Sequence, residues 1–347
     1  MDSKDDKYHR RCLKMAENGF GRVATNPLVG AVIVVDGQII GEGYHAFYGG
    51  PHAEANAINS VKDLSLLQKS TLYVNLEPCA HFGKTPPCAD LIIEKKIPRV
   101  KIGIRDPFPC VAGKGIEKLI AAGIEVEVGF LETENWYINR RFLTYYEKNR
   151  PYIILKWAET ADGFIDVHRV QNKNNRPTLI NDELTLSLVH KWRSEEQAIL
   201  VGTNTAMLDN PMLNVRSFSG KNPLRMVLDK DLKIPKHYTI FDGLIKTIIF
   251  NSLKDEIDGN IVYKKVDFSK LTVEILNYCF SEKIQSILIE GGAKLHSTFI
   301  NCGMWDEARI FRADVCFGNG VKAADICNVP KKQIQIGNST LYYYYNY

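Results

Sequence analysis

Four side chains, His52, Glu54, Cys79 and Cys88, constrain this chain more tightly than any other feature, because each lies at or beside a junction between a predicted strand and a predicted helix. Pro51-His52-Ala53-Glu54 opens a helix running to about Asn59, and Pro78-Cys79 closes the strand Thr71–Leu76. Cys88 starts the next helix after Pro86-Pro87, where proline suits a first helical turn. Around them the pattern alternates. A helical period covers Tyr8 to Gly19, and a hairpin with Asp36-Gly37 at its turn covers Leu28 to Tyr44. Strands follow at Val100–Ile104 and Glu125–Val128 with a helix between them, which predicts a sheet covered by helices on both faces. A charged stretch, Tyr145 to Pro151, reads as a linker, after which the pattern restarts at Tyr152–Leu155. Strands at Ala198–Val201, Arg225–Leu228, Thr247–Phe250 and Ser286–Ile289, with helices near Asp182–Glu195 and Val273–Glu282, complete a second α/β unit.

Composition removes several alternatives. With 347 residues, two domains are expected at roughly 150 residues each. Hydrophobic residues at 45% and charged residues at 24% exclude disorder or a fibre as a description of the whole chain. A net charge of +4 is too mild to argue for nucleic acid, and no apolar run reaches the ~20 residues that span a bilayer. Eight cysteines are too sparse for a disulfide framework, and the N-terminus has no apolar segment behind its charges. A cytoplasmic location is therefore expected.

One imidazole and two thiolates form a three-ligand zinc set that keeps its fourth position open, as catalytic zinc requires. Helix N-termini beside these groups favour thiolate over thiol. Glu54, two residues after His52, is then placed to move a proton between water and a leaving amine. His-x-Glu followed by Pro-Cys fits the zinc-deaminase signature, which points to hydrolytic deamination of an aminopyrimidine or purine.

Nucleoside, cytosine and tRNA deaminases usually have two residues between the cysteines, whereas here eight intervene, Ala80 to Pro87. That insertion, with Asn26-Pro27-Leu28-Val29-Gly30 upstream, resembles the bifunctional riboflavin-biosynthesis deaminase-reductases over nearly the whole chain. The resemblance implies a cytidine-deaminase-like three-layer α/β/α sandwich over 1–146 and a dihydrofolate-reductase-like α/β domain over 147–347. It implies zinc held by His52, Cys79 and Cys88, with Glu54 as proton shuttle. Asn26, His45, His81, Lys84 and Asp106 match the deaminase's substrate positions; Phe108 stands where the family commonly has Asn, and Thr25 where it has Pro.

No Gly-x-Gly-x-x-Gly fingerprint occurs in the second half, so a Rossmann domain is unsupported. The strand Ile287–Ile289 instead ends in Glu290-Gly291-Gly292 before a helical pattern, a junction whose free N–H groups can hold a diphosphate. By resemblance Glu159, Thr205, Asp209, Gly291 and Gly292 match NADPH-contacting positions, and Arg193, Leu213, Arg216 and Glu290 match substrate-side ones. The segment Ile199 to Pro211 matches the family's strand-to-loop stretch. Lys156 assists protonation as hydride arrives or anchors phosphate; the sequence does not separate these. Departures gather here: Glu159 replaces a small residue, Leu179 and Asn181 replace Trp and Thr, and Phe311 to Val315 replaces a stretch reading Ala-Pro-Lys.

The expectation is thus a zinc deaminase joined to an NADPH-dependent reductase. Its partners would be a small phosphorylated pyrimidine and further copies of the chain in a homo-oligomer, with no nucleic acid and no membrane. The alternatives are a deaminase whose second domain only binds or assembles, and a nucleic-acid-editing deaminase, against which the low net charge counts.

Overall fold

The computed structural model describes residues 5–82, 86–108, 111–169, 180 and 182–346. Two compact units divide at Asn149/Arg150. Unit 1 contains, in order, α1 (Asp6–Ala16), β1 (Gly30–Val35), β2 (Gln38–Tyr44), α2 (Ala53–Asn59) and β3 (Thr71–Leu76). It continues with α3 (Cys88–Glu94), β4 (Arg99–Ile104), α4 (Lys114–Ala121), β5 (Glu125–Val128) and α5 (Glu132–Lys148). Among the described residues its sheet runs β2-β1-β3-β4-β5, with β1 antiparallel to both neighbours and β3, β4 and β5 parallel. Asp36 and Gly37 turn the hairpin at φ of 48° and 81°, the left-handed pair that a type I′ turn needs.

Alternation along β1 separates two cores. Ala31 and Ile33 pack with Ala57, Ile58, Ile92 and Leu119 from α2, α3 and α4, while Val32 and Val34 pack with Tyr8 and Cys12 of α1. The expected three-layer sandwich is present. Helix α2 lies directly on β2 because Gly41 and Gly43 carry no side chain there. A Cβ on Gly43 would sit 2.3 Å from the Ala57 nitrogen, and one on Gly41 would sit 2.6 Å from the Ala57 oxygen.

Helix α5 differs from the sequence expectation. It runs through Tyr145 to Lys148, the stretch read as linker, and ends where Asn149 turns left-handed at φ 52°. Its buried positions include Asn135, Asn139, Arg140 and Thr144, so polar side chains occupy places where an apolar period would have announced a helix. Asn139 grips Leu28: its Oδ1 accepts from the Leu28 N–H at 2.7 Å and its Nδ2 donates to the Leu28 carbonyl at 3.0 Å. Asn75 of β3 adds a bond to the same carbonyl at 3.0 Å and accepts from the Gly30 N–H at 2.8 Å.

Unit 2 comprises β6 (Tyr152–Thr160), β7 (Phe164–Asp166), α6 (Glu183–Glu195), β8 (Ala198–Val201) and α7 (Thr203–Asp209). Next come β9 (Leu224–Leu228), β10 (Thr247–Asn251), β11 (Glu256–Asp258), β12 (Ile261–Lys265), α8 (Leu271–Ser281) and β13 (Ser286–Ile289). It ends with α9 (Ala293–Asn301), β14 (Glu307–Ala313), β15 (Val321–Lys322), β16 (Lys332–Ile336) and β17 (Ser339–Tyr345). Among the described residues the large sheet runs β11-β12-β10-β9-β8-β13-β6-β14-β17-β16. From β12 to β14 its neighbours are parallel, so the carboxyl ends of these strands share one edge. Ile153, Leu155, Ile287 and Ile289 face α8 and α9, whereas Ile154 and Leu288 face α6, which explains why these strands read as unbroken apolar runs. The Ile199–Pro211 segment is a strand followed by the short helix α7 rather than by a loop.

Replacing Gly43 by alanine forces backbone apart from backbone. We expect Gly43→Ala to lower the unfolding free energy of unit 1 by about 1–3 kcal/mol, read as a fall in urea midpoint of the far-ultraviolet signal.

Candidate functional site

Three separate segments of unit 1 converge at one point. His52 is the N-cap of α2, Cys79 lies just beyond the carboxyl end of β3, and Cys88 is the first residue of α3. Their ligand atoms all lie within 4.8 Å of one another. His52 Nδ1 is 3.5 Å from Cys79 Sγ and 3.3 Å from Cys88 Sγ, close to the edge of about 3.5 Å that tetrahedral zinc bonds to nitrogen and sulfur define. The Cys88 backbone N–H, at the start of α3, donates to Cys79 Sγ at 3.3 Å. Hydrogen bonds from Cys88 and from His52 hold the Cys79 thiol well below its usual range, while the same bond and burial push Cys88 up. The donor set fits zinc.

Glu54 is 3% exposed, in the first turn of α2, and burial raises its carboxyl above the usual range. It lines a cavity of about 310 Å³ together with His52, Cys79, Asn26, His45, His81 and Asp106. His45 Nδ1 lies 3.0 Å from the Pro51 carbonyl, so its proton sits there and Nε2 accepts from Asn26 Nδ2 at 3.0 Å. Burial also lowers the His45 pKa, which keeps the ring neutral. His81 Nδ1 is buried without a hydrogen-bond partner among the described residues. Burial lifts Asp106 to about 7 although its Oδ1 accepts from the Phe108 N–H at 2.8 Å. The expected substrate contact Lys84 lies outside the described residues.

Sequence reading missed two parts of this cavity. Phe142 and Tyr146 of α5 form a wall with Phe108, whose ring centroid is 4.9 Å from that of Tyr146. The two rings are tilted at 55° to each other, so Phe108 gives the cavity an aromatic edge rather than a hydrogen-bonding group. Buried Glu77, two residues before Cys79, accepts from the backbone N–H groups of Asp106, Gly113, Gly115 and Ile116 at 2.9 to 3.3 Å. It locks the Cys79 segment to the start of α4, a carboxylate at a helix N-terminus.

In unit 2 a cavity of about 640 Å³ runs along the shared carboxyl edge and is lined by Lys156, Thr205, Asp209, Glu290, Gly291 and Gly292. Arg193 and Glu290 form a bidentate pair at 2.8 and 2.7 Å; burial opposes the carboxylate, yet Arg193 holds it at about 2. Burial pulls the Lys156 ammonium below its usual range, with Glu290 resisting. His190, unforeseen in the sequence, accepts from the Arg216 N–H at 3.3 Å, and burial with two nearby arginines lowers it to about 4. Buried His296 lines the cavity with Nδ1 unpartnered, its Nε2 being 3.1 Å from the Ile289 carbonyl. Arg169, which bonds Asp209 at 2.6 Å, has its Nε buried and unpartnered at the same cavity. An elongated cavity with a glycine turn at φ +66° and orphaned polar atoms fits a polar dinucleotide.

Four of the expected residues do not line it: Arg193 stands behind Glu290, and Arg216, Glu159 and Leu213 lie outside its wall. Glu159 is buried, accepting from Trp157 Nε1 at 2.9 Å and from Arg312 at 2.8 and 2.7 Å, because Arg312 stands opposite it in the β6–β14 register. Leu213 is 2% exposed and packs in the core under β8, β9 and β10. Leu179 and Asn181 lie outside the described residues.

Fold and site together define a zinc-type nucleotide deaminase unit followed by a reductase-type unit. Residues 2–104 match the cytidine and deoxycytidylate deaminase zinc-binding region, and residues 151–338 match the RibD C-terminal domain. The riboflavin biosynthesis protein RibD of Aquifex aeolicus is 37% identical over 328 residues, covering 93% of this chain and 90% of that protein. The chain is also similar to the diaminohydroxyphosphoribosylaminopyrimidine deaminase/5-amino-6-(5-phosphoribosylamino)uracil reductase of Thermotoga maritima, at TM-score 0.87, 38% identity and 99% coverage of both chains. Acinetobacter baumannii RibD gives TM-score 0.88 and 30% identity over 98% of each chain. This chain belongs to the RibD family of riboflavin-biosynthesis proteins. The fold class expected for both halves holds.

Asp106 supplies a pH test. The folded chain binds its proton up to about pH 7, whereas an unfolded aspartate releases it near 3.8, so stability falls as pH rises between those values. The slope should reach up to about 1.4 kcal/mol per pH unit, and Asp106→Asn should lose it, as read from urea midpoints at pH 5 and 7.

Proposed function

We infer that this chain is a bifunctional enzyme of riboflavin biosynthesis, with residues 1–146 as a zinc-dependent deaminase and 147–347 as an NADPH-dependent reductase. The observation that carries the reading is the meeting of His52, Cys79 and Cys88 beside buried Glu54 in one cavity. Its substrate is 2,5-diamino-6-(5-phosphoribosylamino)pyrimidin-4-one. His52, Cys79 and Cys88 would hold a zinc ion, which would supply Lewis acidity that brings the pKa of a water to roughly 7. Glu54 takes a proton from the attacking water and passes it to the leaving amine, so that C2–N breaks, C2=O forms and ammonia departs. Burial suits it to this task by holding its carboxyl above the usual carboxylate range. Asn26, His45, His81 and Asp106 orient the heterocycle, Phe108 and Tyr146 stack on it, and Lys84 meets the phosphate.

For the second step NADPH, when bound, would supply the hydride; as the C1′–O4′ bond of the ribosyl group breaks, Lys156 is the residue placed to give the proton that O4′ takes. Arg193 and Glu290 fix the position of Lys156, while Arg216 faces the substrate phosphate. Thr205, Asp209, Gly291 and Gly292 hold the dinucleotide. Glu159 and Leu213 support this site from outside it. The departure at Glu159 does not argue for a silent second unit, because its carboxylate is absorbed by Arg312 and Trp157. The chain acts in the cytoplasm, a reading that free thiols at every described cysteine support, and not on nucleic acid, which the net charge of +4 supports; the reading includes a homo-oligomer. No helix of the described residues is long and apolar enough to cross a membrane.

Zinc-replete protein given the diaminopyrimidine ribotide and NADPH should release ammonia first and then lose NADPH absorbance. Glu54→Gln should slow ammonia release by about 10²–10⁴-fold while still oxidising NADPH when given the deaminated product. Ammonia without NADPH loss would leave only the deaminase.

A further inference from the structure

Asp209 occupies a place that disfavours a lone carboxylate. It is the last residue of α7, where the carbonyl ends of a helix oppose further negative charge, and no basic residue lies in that turn. Asn210 then leaves the helix left-handed at φ 40° and its Oδ1 accepts from the Thr239 N–H at 2.7 Å, which fixes the helix end. Burial pushes the Asp209 carboxyl up, and nearby Asp166 pushes the same way. Yet Asp209 lines the large cavity that receives an anionic dinucleotide on the reductase reading.

The balancing cation comes from a distant part of the chain. Arg169 lies three residues past Asp166, the last residue of β7. Its Nη1 donates to Asp209 Oδ1 at 2.6 Å, and its Nη2 lies 2.5 Å from Asp166 Oδ2, so one guanidinium spans β7 and α7 at the cavity wall. The Arg169 side chain keeps only 9% of its exposure, and its Nε has no partner among the described residues. As a mere staple this bridge is poor, because an apolar pair of the same shape would tie β7 to α7 without burying a charge and an unfilled donor. What an apolar pair would not do is answer the charge of Asp209. The other charged or titratable groups around the cavity are Lys156, Lys230, Glu290, Lys294 and His296, of which Glu290 is taken by Arg193.

We propose that Arg169 is a positioning residue of the second unit, which fixes the Asp209 carboxylate at the cavity wall as an acceptor for hydroxyl groups of the bound dinucleotide. This rests on the reductase reading above, in which Asp209 holds the dinucleotide, and adds the group on which Asp209 depends. The planar guanidinium fork sets the direction of the carboxylate as well as its charge. Without Arg169 the buried carboxyl takes up a proton at higher pH, so the acceptor is lost over a range in which the wild type keeps it.

Calorimetric titration of the full chain with NADPH, between about pH 6 and pH 8, tests this without turnover when each variant is compared with the wild type at the same pH. Arg169→Met should weaken NADPH by about 10- to 100-fold at the acid end and by less at the alkaline end. Asp209→Asn should bind weakly with no such dependence on pH, and adding Arg169→Met to it should cost less than about twofold more. Arg169→Lys keeps the charge and controls for a folding defect; its binding should follow the wild-type dependence on pH. Losses that multiply in the double variant, or an Arg169→Met loss that is the same at every pH, would reduce the bridge to a staple and overturn the assignment, as would wild-type affinity in Arg169→Met. A wild type that binds no NADPH would instead remove the reductase reading, and this proposal with it.

Discussion

Contact of backbone with backbone, α2 on β2 across Gly41 and Gly43, is the constraint from which unit 1 is built. It brings the N-terminus of α2 down to the level of the strand ends, where Cys79 leaves β3. A helix held off by side chains would carry His52 and Glu54 several ångström away from the thiols, and rate falls steeply with misplacement of that size. The same contact buries Ala53 and Ala57, small residues that leave α2 no room to tilt. Gly115 repeats the device on the other flank, where a Cβ would lie 1.9 Å from the Pro78 oxygen, so α4 presses on the residue before Cys79. Metal ligation is thus secured by absent side chains as much as by present ones.

Buried amides do the corresponding work upstream. Asn75 and Asn139 meet Leu28 as a neighbouring strand would, satisfying its N–H and carbonyl where no strand lies. Asn26 and His45 hang from that fixed point on the cavity wall. Two side chains replacing a strand explain how an irregular segment holds a substrate-facing residue in place.

Much of this was legible in the sequence. Parallel strands declare themselves through unbroken apolar runs, and Asp36-Gly37 declares its turn through the φ values it tolerates. His52, Cys79 and Cys88 were legible because few other tasks need those types at those junctions. Helix α5 was not, since Asn135 and Asn139 are buried for their hydrogen bonds and break the period that apolar burial would create. Its wall of the cavity, Phe142 and Tyr146, was lost with it. Strand β17 hid similarly, because a run of tyrosines does not alternate when both faces of the strand are covered in part. The partner of Glu159 was not legible, because the sequence does not say which residue lies opposite it, and register alone pairs it with Arg312.

That pairing is lopsided in its exposure. Arg312 retains 45% of its side-chain exposure, whereas Glu159 retains 6%. Without its partner Arg312 on β14 stays hydrated at little cost, whereas Glu159 on β6 would be sealed without a cation, at a cost on the order of several kcal/mol. The two positions are therefore unequal partners: loss of the glutamate leaves an arginine that water still serves, whereas loss of the arginine leaves a sealed carboxylate, so the strand pair tolerates one change and resists the other.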